Sequence, residues 1–325
     1  MEKKWELYVY GDVNIDIVIP EVTVLPAPGR EVEVSDMKTF VGGGAALFAL
    51  GAGKLGLKTA FQGELGNDFY GEFIRTQFLK SGVDDSLLIK RQGVGNGISL
   101  SFTNKKDRSF LTYRGTNENL SLEKINLENI KKAKHIHVTG YCGQKNHKDY
   151  LTFLQEIKKY TDTTISLDVG WDAEEIWGRE IYDLFPYLDV LFMNETEAIH
   201  YGYMHRLRKG ELLSLPIDEK SVEKIALEFS KRGPITVIKR GKKGALAVYK
   251  DLVYKAPAYQ VEAVDTTGAG DSFNAGFIYG FIKAYSIQNC LKFANACGAF
   301  SVTALGGNTA FPDEKRLLAF VENEK

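Results

Sequence analysis

The sequence has little of the features that direct a chain to membranes, nucleic acid or an oxidising compartment. Its 325 residues include three cysteines, without CxxC spacing, so we expect free thiols in a reducing cytosol. The net charge of −1 leaves no basic excess for nucleic acid or an anionic membrane. Apolar runs fall short of the roughly 20 residues that span a bilayer, and the N-terminus lacks a signal-peptide core. We therefore expect a cytoplasmic protein that binds neither membranes nor nucleic acid.

Short apolar runs alternate with amphipathic segments along most of the chain. Four runs end in polar or glycine residues and are expected to be buried strands: 134–141, 163–171, 189–197 and 235–241. Helical patterns lie between them, and in the segment 220–233 Val222, Ile225 and Phe229 fall on one helical face. This alternation predicts an α/β fold, in which helices cover both faces of a mainly parallel sheet. Ligands of such sheets bind at the carboxyl ends of the strands.

Two segments, 15–41 and 95–115, depart from this alternation. Both are strand-like and contain turn residues, so we expect antiparallel hairpins that form a small sheet over one end of the main sheet. Such a lid would exclude water, which suits group transfer because hydrolysis competes with it. An ordinary edge insertion is the alternative. The predicted main domain comprises the remaining segments, which are 1–14, 42–94 and 116–325.

The stretch VDTTGAGDSFNAGF at 264–277 contains a Gly-rich loop just before a helical pattern. The spacing of the apolar residues from Phe273 onward predicts that the helix begins near 270–272. The N–H groups of Gly268, Ala269 and Gly270 would then lie at a helix N-terminus with little side-chain obstruction. This arrangement predicts an anion hole that suits a phosphate group.

Asp271 lies at the start of the same predicted helix. An ionised carboxylate there could accept the proton of a substrate hydroxyl group. The alternative is a structural N-cap behind a tight turn, because aspartate caps helices well.

The string DTTGAGD at 265–271 resembles the C-terminal signature of the ribokinase family, also called the PfkB carbohydrate kinases. The resemblance extends over essentially the whole chain, and it implies a ribokinase-like α/β/α fold and ATP-dependent phosphorylation of a sugar. It makes Asp271 the catalytic base and assigns Gly268, Ala269 and Gly270 to the anion hole. It also implies a monovalent-cation site, with K⁺ as the expected ion, at Asp265, Thr267, Ser301, Ala304 and Gly306.

Three further segments resemble substrate-binding parts of this family. In GDVNID at 11–16, the resemblance implies that Asn14 and Asp16 hold sugar hydroxyls, and a carboxylate suits a vicinal diol. The Gly42–Gly43 pair would let the substrate approach the backbone. Asp168, at the end of a predicted strand, resembles an aspartate that binds the substrate in fructokinase-like and ketodeoxygluconate-kinase-like members.

The family's nucleotide site has counterparts as well. NETE at 194–197 resembles an N-x-x-E motif that organises Mg²⁺ and phosphate, with Asn194 on the ATP side and Glu197 on the metal, partly through water. The resemblance also assigns Gly241, Gly244 and Asn295 to ATP. Lys239 stands where a threonine is common in the family, and a lysine there could still meet phosphate.

The sequence departs from the family at positions that affect the choice of substrate. Leu47 replaces an asparagine that touches the sugar in many members, which implies a less polar pocket or a substrate without a hydroxyl there. Ala310 stands where a serine can help to hold the cation. Arg108 and Arg114 could meet a carboxylate or phosphate of the substrate, or be solvated charges at the lid edge.

The leading hypothesis is an ATP-dependent sugar kinase. One alternative is a nucleoside kinase of the same fold, because Asp16 could hold a ribose diol and Leu47 would tolerate an apolar base. The other is a non-catalytic sugar sensor, which would need no base. The exposed lid strands also lead us to expect a homodimer paired through the lid.

Overall fold

The computed structural model describes residues 3–22, 24, 27–103, 108–172, 174–203 and 218–323. Residues 104–107, within the predicted lid segment 95–115, lie outside these described residues. The strands are β1 (Trp5–Tyr10), β2 (Asn14–Ile19), β3 (Lys38–Gly42), β4 (Thr59–Gln62), β5 (Glu64–Gly66), β6 (Val83–Asp84), β7 (Ile89–Arg91), β8 (Gly97–Thr103), β9 (Arg108–Tyr113), β10 (Ala133–Tyr141), β11 (Thr164–Val169), β12 (Val190–Asn194), β13 (Ile235–Lys239), β14 (Ala245–Tyr249) and β15 (Leu252–Ala256).

Helices separate many of these strands, as the alternating sequence pattern predicts. They are α1 (Gly44–Lys54), α2 (Phe69–Lys80), α3 (Leu127–Ile130), α4 (His147–Tyr160), α5 (Glu195–Tyr203), α6 (Glu219–Ser230), α7 (Ala269–Ile282), α8 (Ile287–Ser301) and α9 (Glu314–Asn323).

The large sheet has the strand order β15-β14-β13-β12-β11-β10-β1-β4-β6. Its strands from β13 to β6 pair in parallel, whereas β14 and β15 are antiparallel additions at one edge. Alternate residues of β1 enter different cores, with Leu7 in one and Tyr8 in the other. Because successive strand residues point to opposite faces, the sheet is buried on both sides. Phe277 of α7 packs in the first core and Phe229 of α6 in the second, which gives three layers.

The small sheet is separate and has the order β3-β2-β8-β9. Strands β2 and β3 are antiparallel, as are β8 and β9, so each of the two predicted segments supplies a hairpin-like pair. A parallel pairing of β2 with β8 joins the two pairs, with Asp16 opposite Ser99. The limits given above for the lid, 15–41 and 95–115, stay a prediction.

The order of the strands determines where the carboxyl-end loops meet. The chain passes from β1 to β4 on one side and later to β10 on the other, so its direction of progress reverses beside β1. Ligands of α/β sheets bind at such a reversal. Among the described helices, none is both long and apolar enough to cross a membrane.

Candidate active site

The N-terminus of α7 is formed by the Gly-rich loop. Gly268 is the N-cap and has a left-handed backbone with φ 69°, which glycine adopts without steric cost. A Cβ at Gly268 would lie 2.7 Å from Cδ1 of Leu47, so the loop packs directly on this leucine. The helix begins at Ala269, one residue before the predicted start, and its first-turn N–H groups lack intrahelical partners.

Leu47 has a different setting from the one that its sequence position suggested. Its side chain is 3% exposed, and Cδ1 lies against the positions of Gly268 and Gly307. Leu47 therefore packs against the Gly-rich loop on its buried side. The expectation that Leu47 makes the substrate pocket less polar stays a prediction.

Asp271 lies in the first turn of α7 and faces the start of α1. A Cβ placed at Gly44 would lie 3.0 Å from Oδ1 of Asp271, so only the absence of a side chain leaves this approach open. Burial raises the pKa of Asp271 to about 8, with Asp168 adding to the rise and Lys239 opposing it. The environment thus gives this carboxyl group a higher proton affinity than an ordinary aspartate has.

Asp16 lies at the other end of the same glycine segment. A Cβ at Gly42 would lie 2.2 Å from its Oδ1, so the Asp16 carboxylate rests directly on the Gly42 backbone. Asn14 donates a 2.7 Å hydrogen bond from Nδ2 to Oδ1 and thereby orients the carboxylate. Burial raises the pKa of Asp16 to about 6, and the bond from Asn14 works in the opposite direction. The backbone from Gly42 to Gly44 therefore separates the two aspartates.

Asp12 is a site residue that the sequence analysis missed. Its carboxylate accepts hydrogen bonds of 3.1 Å each from the backbone N–H groups of Gly44 and Ala45, in the first turn of α1. Gly43 precedes this helix with φ 93°, and a Cβ there would lie 2.7 Å from the Asp12 carbonyl oxygen. Asp12 thus holds the start of α1, and the position of Gly44, beside Asp271. The available signal was its place beside Gly11 in the GDVNID motif.

The carboxylate of Asp168 accepts hydrogen bonds from other side chains of the protein. Lys239 Nζ donates to its two carboxylate oxygens at 2.8 and 2.9 Å, and Asn274 Nδ2 donates to Oδ2 at 2.7 Å. These contacts link the end of β11 to the end of β13 and to α7. Asn274 was not identified in the sequence. The predicted role of Asp168 as a ligand of the substrate competes with these three bonds.

Asn194 and Glu197 form a reciprocal cap at the start of α5. Asn194 Oδ1 accepts from the Glu197 N–H at 2.8 Å, and Glu197 Oε2 accepts from the Asn194 N–H at 2.8 Å. Burial raises the pKa of Glu197 to about 7, while the charge of Lys239 opposes the rise. The Glu197 carboxylate has one oxygen engaged in the cap, which is compatible with a further, water-mediated ligand.

The predicted nucleotide loop is a tight turn between β13 and β14. Gly241 has φ 54° and Gly244 has φ 87°, and a Cβ at Gly244 would lie 2.1 Å from the Ala256 carbonyl oxygen. Asn295 of α8 donates from Nδ2 to the carbonyl oxygens of Ala256 and Pro257 at 3.0 and 2.9 Å. Asn295 thus anchors the chain behind this loop, and the structure gives its side chain a backbone partner.

The predicted cation site brings together two loops. The Asp265 carboxylate accepts from the N–H of Thr267 at 2.9 Å, from its hydroxyl at 2.7 Å and from the N–H of Gly306 at 3.0 Å. Gly306 packs against the lid ring of Phe40, where a Cβ would lie 2.4 Å from Cδ1. The Ser301 hydroxyl donates to Gly298 within α8, at 3.0 Å. Ala304 lies in the loop that joins these residues.

The two lid arginines stay a prediction as partners of a carboxylate or phosphate on the substrate. Arg114 is exposed, and the Arg108 side chain lies outside the described residues. In the described part of the chain, no cluster of three or more His, Cys, Asp or Glu side chains has the spacing of a metal site.

The chain matches known proteins along nearly its full length. Residues 5–314 match the model of the pfkB family carbohydrate kinases. A 5-dehydro-2-deoxygluconokinase of Clostridium botulinum is 28% identical over 337 aligned residues, which cover 100% of this chain and 95% of that protein.

Solved ribokinase structures have the same architecture. Ribokinase from Thermotoga maritima superposes with a TM-score of 0.77 at 26% identity, covering 98% of this chain and 100% of that one. Arabidopsis thaliana ribokinase complexed with ribose and ATP gives a TM-score of 0.81 at 24% identity, covering 99% of both chains. At that identity the second likeness concerns the fold alone.

Proposed function

The chain belongs to the pfkB family of carbohydrate kinases, and on this premise we propose that it transfers the γ-phosphate of ATP to a sugar hydroxyl with Asp271 as the base. The observation that carries the proposal is the arrangement of two aspartates around one glycine segment. Asp16 rests on Gly42, and Asp271 approaches Gly44. A substrate whose diol binds Asp16 would present a neighbouring hydroxyl to Asp271.

The proposed reaction uses positioning and electrostatics. Asp271 accepts the proton of the acceptor hydroxyl while its oxygen attacks the γ-phosphorus in line. The N–H groups of Gly268, Ala269 and Gly270 receive the phosphoryl group at the N-terminus of α7. Because Gly268 and Gly270 have no side chain, a phosphate can approach the backbone closely.

The nucleotide would lie along the turn between β13 and β14. The residues that would receive it are Asn194, Gly241 and Gly244, with Asn295 fixing the backbone behind the turn. Glu197 would hold Mg²⁺, partly through water, and the ion would neutralise charge on the phosphates. Asp265, with the loop 301–306, is the proposed site for K⁺.

The acceptor belongs to the sugars and sugar acids. The name of the Clostridium relative indicates a deoxygenated keto sugar acid as one acceptor to test. Asn14 and Asp16 provide hydrogen-bonding groups for hydroxyls on one side of the pocket. Leu47 is buried against the Gly-rich loop, and we propose that side chains other than Leu47 make the polar contacts with the acceptor.

The first experiment measures ADP formation from MgATP with a panel of acceptors. The panel contains 5-dehydro-2-deoxygluconate, 2-keto-3-deoxygluconate, fructose, tagatose, ribose, fructose 1-phosphate and several nucleosides. We expect one sugar or sugar acid to give high turnover. Turnover with nucleosides alone would favour the nucleoside-kinase alternative, and sugar binding without ADP formation would favour a sensor.

Asp271→Asn tests the base directly. The substitution preserves shape and removes the proton acceptor, so we expect turnover to fall by about 100-fold or more while ATP binding is kept. Isothermal titration with ATP provides the control for folding and nucleotide binding. Near-normal turnover of Asp271→Asn would overturn the assignment of the base.

The proposed assembly is a homodimer formed through the small sheet. Strand β9 lies at an edge of this sheet and carries exposed hydrophobic side chains, with Phe110 55%, Leu111 63% and Tyr113 57% exposed. An exposed apolar edge is a surface that proteins usually cover or pair.

A further inference from the structure

Lys239 and Asp168 form an ion pair at the carboxyl ends of the strands of the large sheet. Lys239 ends β13 and Asp168 lies near the end of β11, with β12 between these strands. The pair has Nζ–O distances of 2.8 and 2.9 Å, and the side chains are 15% and 12% exposed. A two-oxygen contact of this kind holds the ammonium group in one place above the end of β12.

A second contact fixes Asp168 from the opposite side. Asn274 is fully buried in α7, one turn after Asp271, and donates to Asp168 Oδ2 at 2.7 Å. The carboxylate is thus held between the sheet and the helix that carries the Gly-rich loop. Because the Lys239 ammonium is fixed by Asp168, its position is tied to α7 as well.

The ammonium group also lies close to the predicted anion hole. A Cβ at Gly270 would lie 3.5 Å from Lys239 Nζ, so the open space beside Gly270 borders the positive charge. Burial opposes the charge on Lys239, but Asp168 and Glu197 outweigh it, so the pKa of Lys239 is raised. Lys239 therefore remains a cation at the place where the phosphoryl group would arrive.

We propose that Lys239 is a catalytic residue that contacts the phosphoryl group during its transfer, and that Asp168 is a positioning residue that acts through Lys239. This inference rests on the proposed kinase function and replaces the predicted role of Asp168 as a ligand of the substrate. In the reaction, the acceptor oxygen bonds to the γ-phosphorus as the bond to the β,γ-bridging oxygen breaks. The acceptor proton passes to Asp271, and Lys239 stays protonated.

The physical role of Lys239 is electrostatic. Charge spreads over the equatorial oxygens of the phosphoryl group in the transition state, and a fixed cation stabilises it without reorganisation. The helix N-terminus contributes partial charges at the same place, whereas Lys239 contributes a full one. An interaction that strengthens in the transition state raises kcat more than it lowers KM.

The test compares kcat and KM of the full chain, with the best acceptor from the panel and MgATP. For Lys239→Met we expect kcat to fall about 100-fold, the size seen when one donor to a developing charge is removed, and KM for ATP to change less than about threefold. Lys239→Arg should recover about tenfold of this loss because it retains the charge. For Asp168→Asn we expect a loss of about tenfold in kcat, with KM for the acceptor unchanged, because misplacement of a catalytic group lowers kcat.

A matched control uses an ion pair at the amino end of β12, which is the opposite end of the strands. Lys158 Nζ lies 2.7 Å from Asp189, which precedes β12. Lys158→Met removes the same charge and a similar contact far from the site, so its kcat should equal that of the wild type.

Removal of Lys239 alone leaves Asp168 buried without its counter-ion, and this can unfold the chain. The double variant Lys239→Met, Asp168→Asn removes both charges and keeps the test valid. A folded double variant with wild-type kcat would overturn the role of Lys239. A higher KM for the acceptor with unchanged kcat in Asp168→Asn would restore Asp168 as a ligand of the substrate. Absence of ADP formation by the wild type with every acceptor would instead contradict the proposed function itself.

Discussion

Asp271 combines a buried carboxyl group with a proposed role that needs its ionised form. Its pKa is raised to about 8, chiefly by burial, so below that pH the acid keeps its proton. The fraction of chains with an ionised base therefore increases as the pH passes through about 8. Asp16 has a pKa of about 6 and loses its proton at lower pH, so the two carboxyl groups are separable in a titration.

We predict that kcat/KM rises with pH, is half-maximal near pH 8 and levels off only about one pH unit higher, because this ratio reports the ionisation of the free enzyme. The measurement is the initial rate of ADP formation at subsaturating acceptor from pH 5.5 to 9.5. ATP affinity measured over the same range controls for ionisation of the nucleotide. A profile that is flat between pH 6.5 and 9 would contradict a base with this pKa.

The residues of the site differ in how far the sequence could reveal them. Asp271 and its glycines stand in one short string, so the sequence reveals them together. The contact of Gly268 with Leu47 joins distant positions and needs the folded structure. The partnership of Lys239 with Asp168 joins positions 71 residues apart, and each residue alone fits several roles. Only the adjacency of β11, β12 and β13 brings them together, and this adjacency is a property of the folded sheet.

At the scale of elements, the start of α1 positions the glycine segment between the two aspartates. Asp12 accepts hydrogen bonds from Gly44 and Ala45, whose N–H groups have no partner within the helix. Loss of these bonds should loosen the first turn, and Gly44 would no longer be held beside Asp271.

We predict that Asp12→Ala lowers the free energy of unfolding by about 1 kcal/mol and lowers turnover by about tenfold. Urea unfolding and steady-state rates measure the two effects. Asp313→Ala is the matched control, because Asp313 accepts from the Arg316 N–H at 2.8 Å at the start of α9. It should lose similar stability and keep its turnover. Equal turnover in both variants would mean that Asp12 acts only on stability.

Local sequence patterns predicted the elements better than their pairing. Buried strands were expected at 134–141 and 235–241, and β10 and β13 occupy these positions because their apolar runs are covered on both faces. The helical pattern at 220–233 corresponds to α6, which begins at Glu219. The parallel pairing of β2 with β8 had no sequence signal, because it joins segments about 80 residues apart through backbone groups that every residue carries.

At the scale of the whole molecule, the small sheet leaves an apolar edge uncovered in the described chain. Successive side chains of a strand point to opposite faces, and both Phe110 and Leu111 of β9 are more than half exposed. Met37, which precedes β3 at the other edge, is 61% exposed as well. The same sheet reaches the site, because β3 ends at Gly42, which contacts Asp16. Pairing of two lids would therefore restrain the substrate side of both active sites.

We predict that the wild type sediments at twice the chain mass of 36.3 kDa and that Leu111→Lys sediments as a monomer at micromolar concentration. A lysine on β9 would place a charge in the proposed interface, and natural edge strands use such charges to prevent pairing.

Leu79→Lys is the matched control, because Leu79 is 61% exposed on α2, outside the small sheet, and resembles Leu111 in exposure. Analytical ultracentrifugation of the three proteins distinguishes the outcomes. A wild type that is monomeric at these concentrations would exclude a stable dimer, whereas dissociation by Leu79→Lys alone would move the interface to α2. If the lid is the interface, only Leu111→Lys dissociates, and its KM for the acceptor should rise about threefold or more, because the lid of each site loses the restraint that its partner supplies.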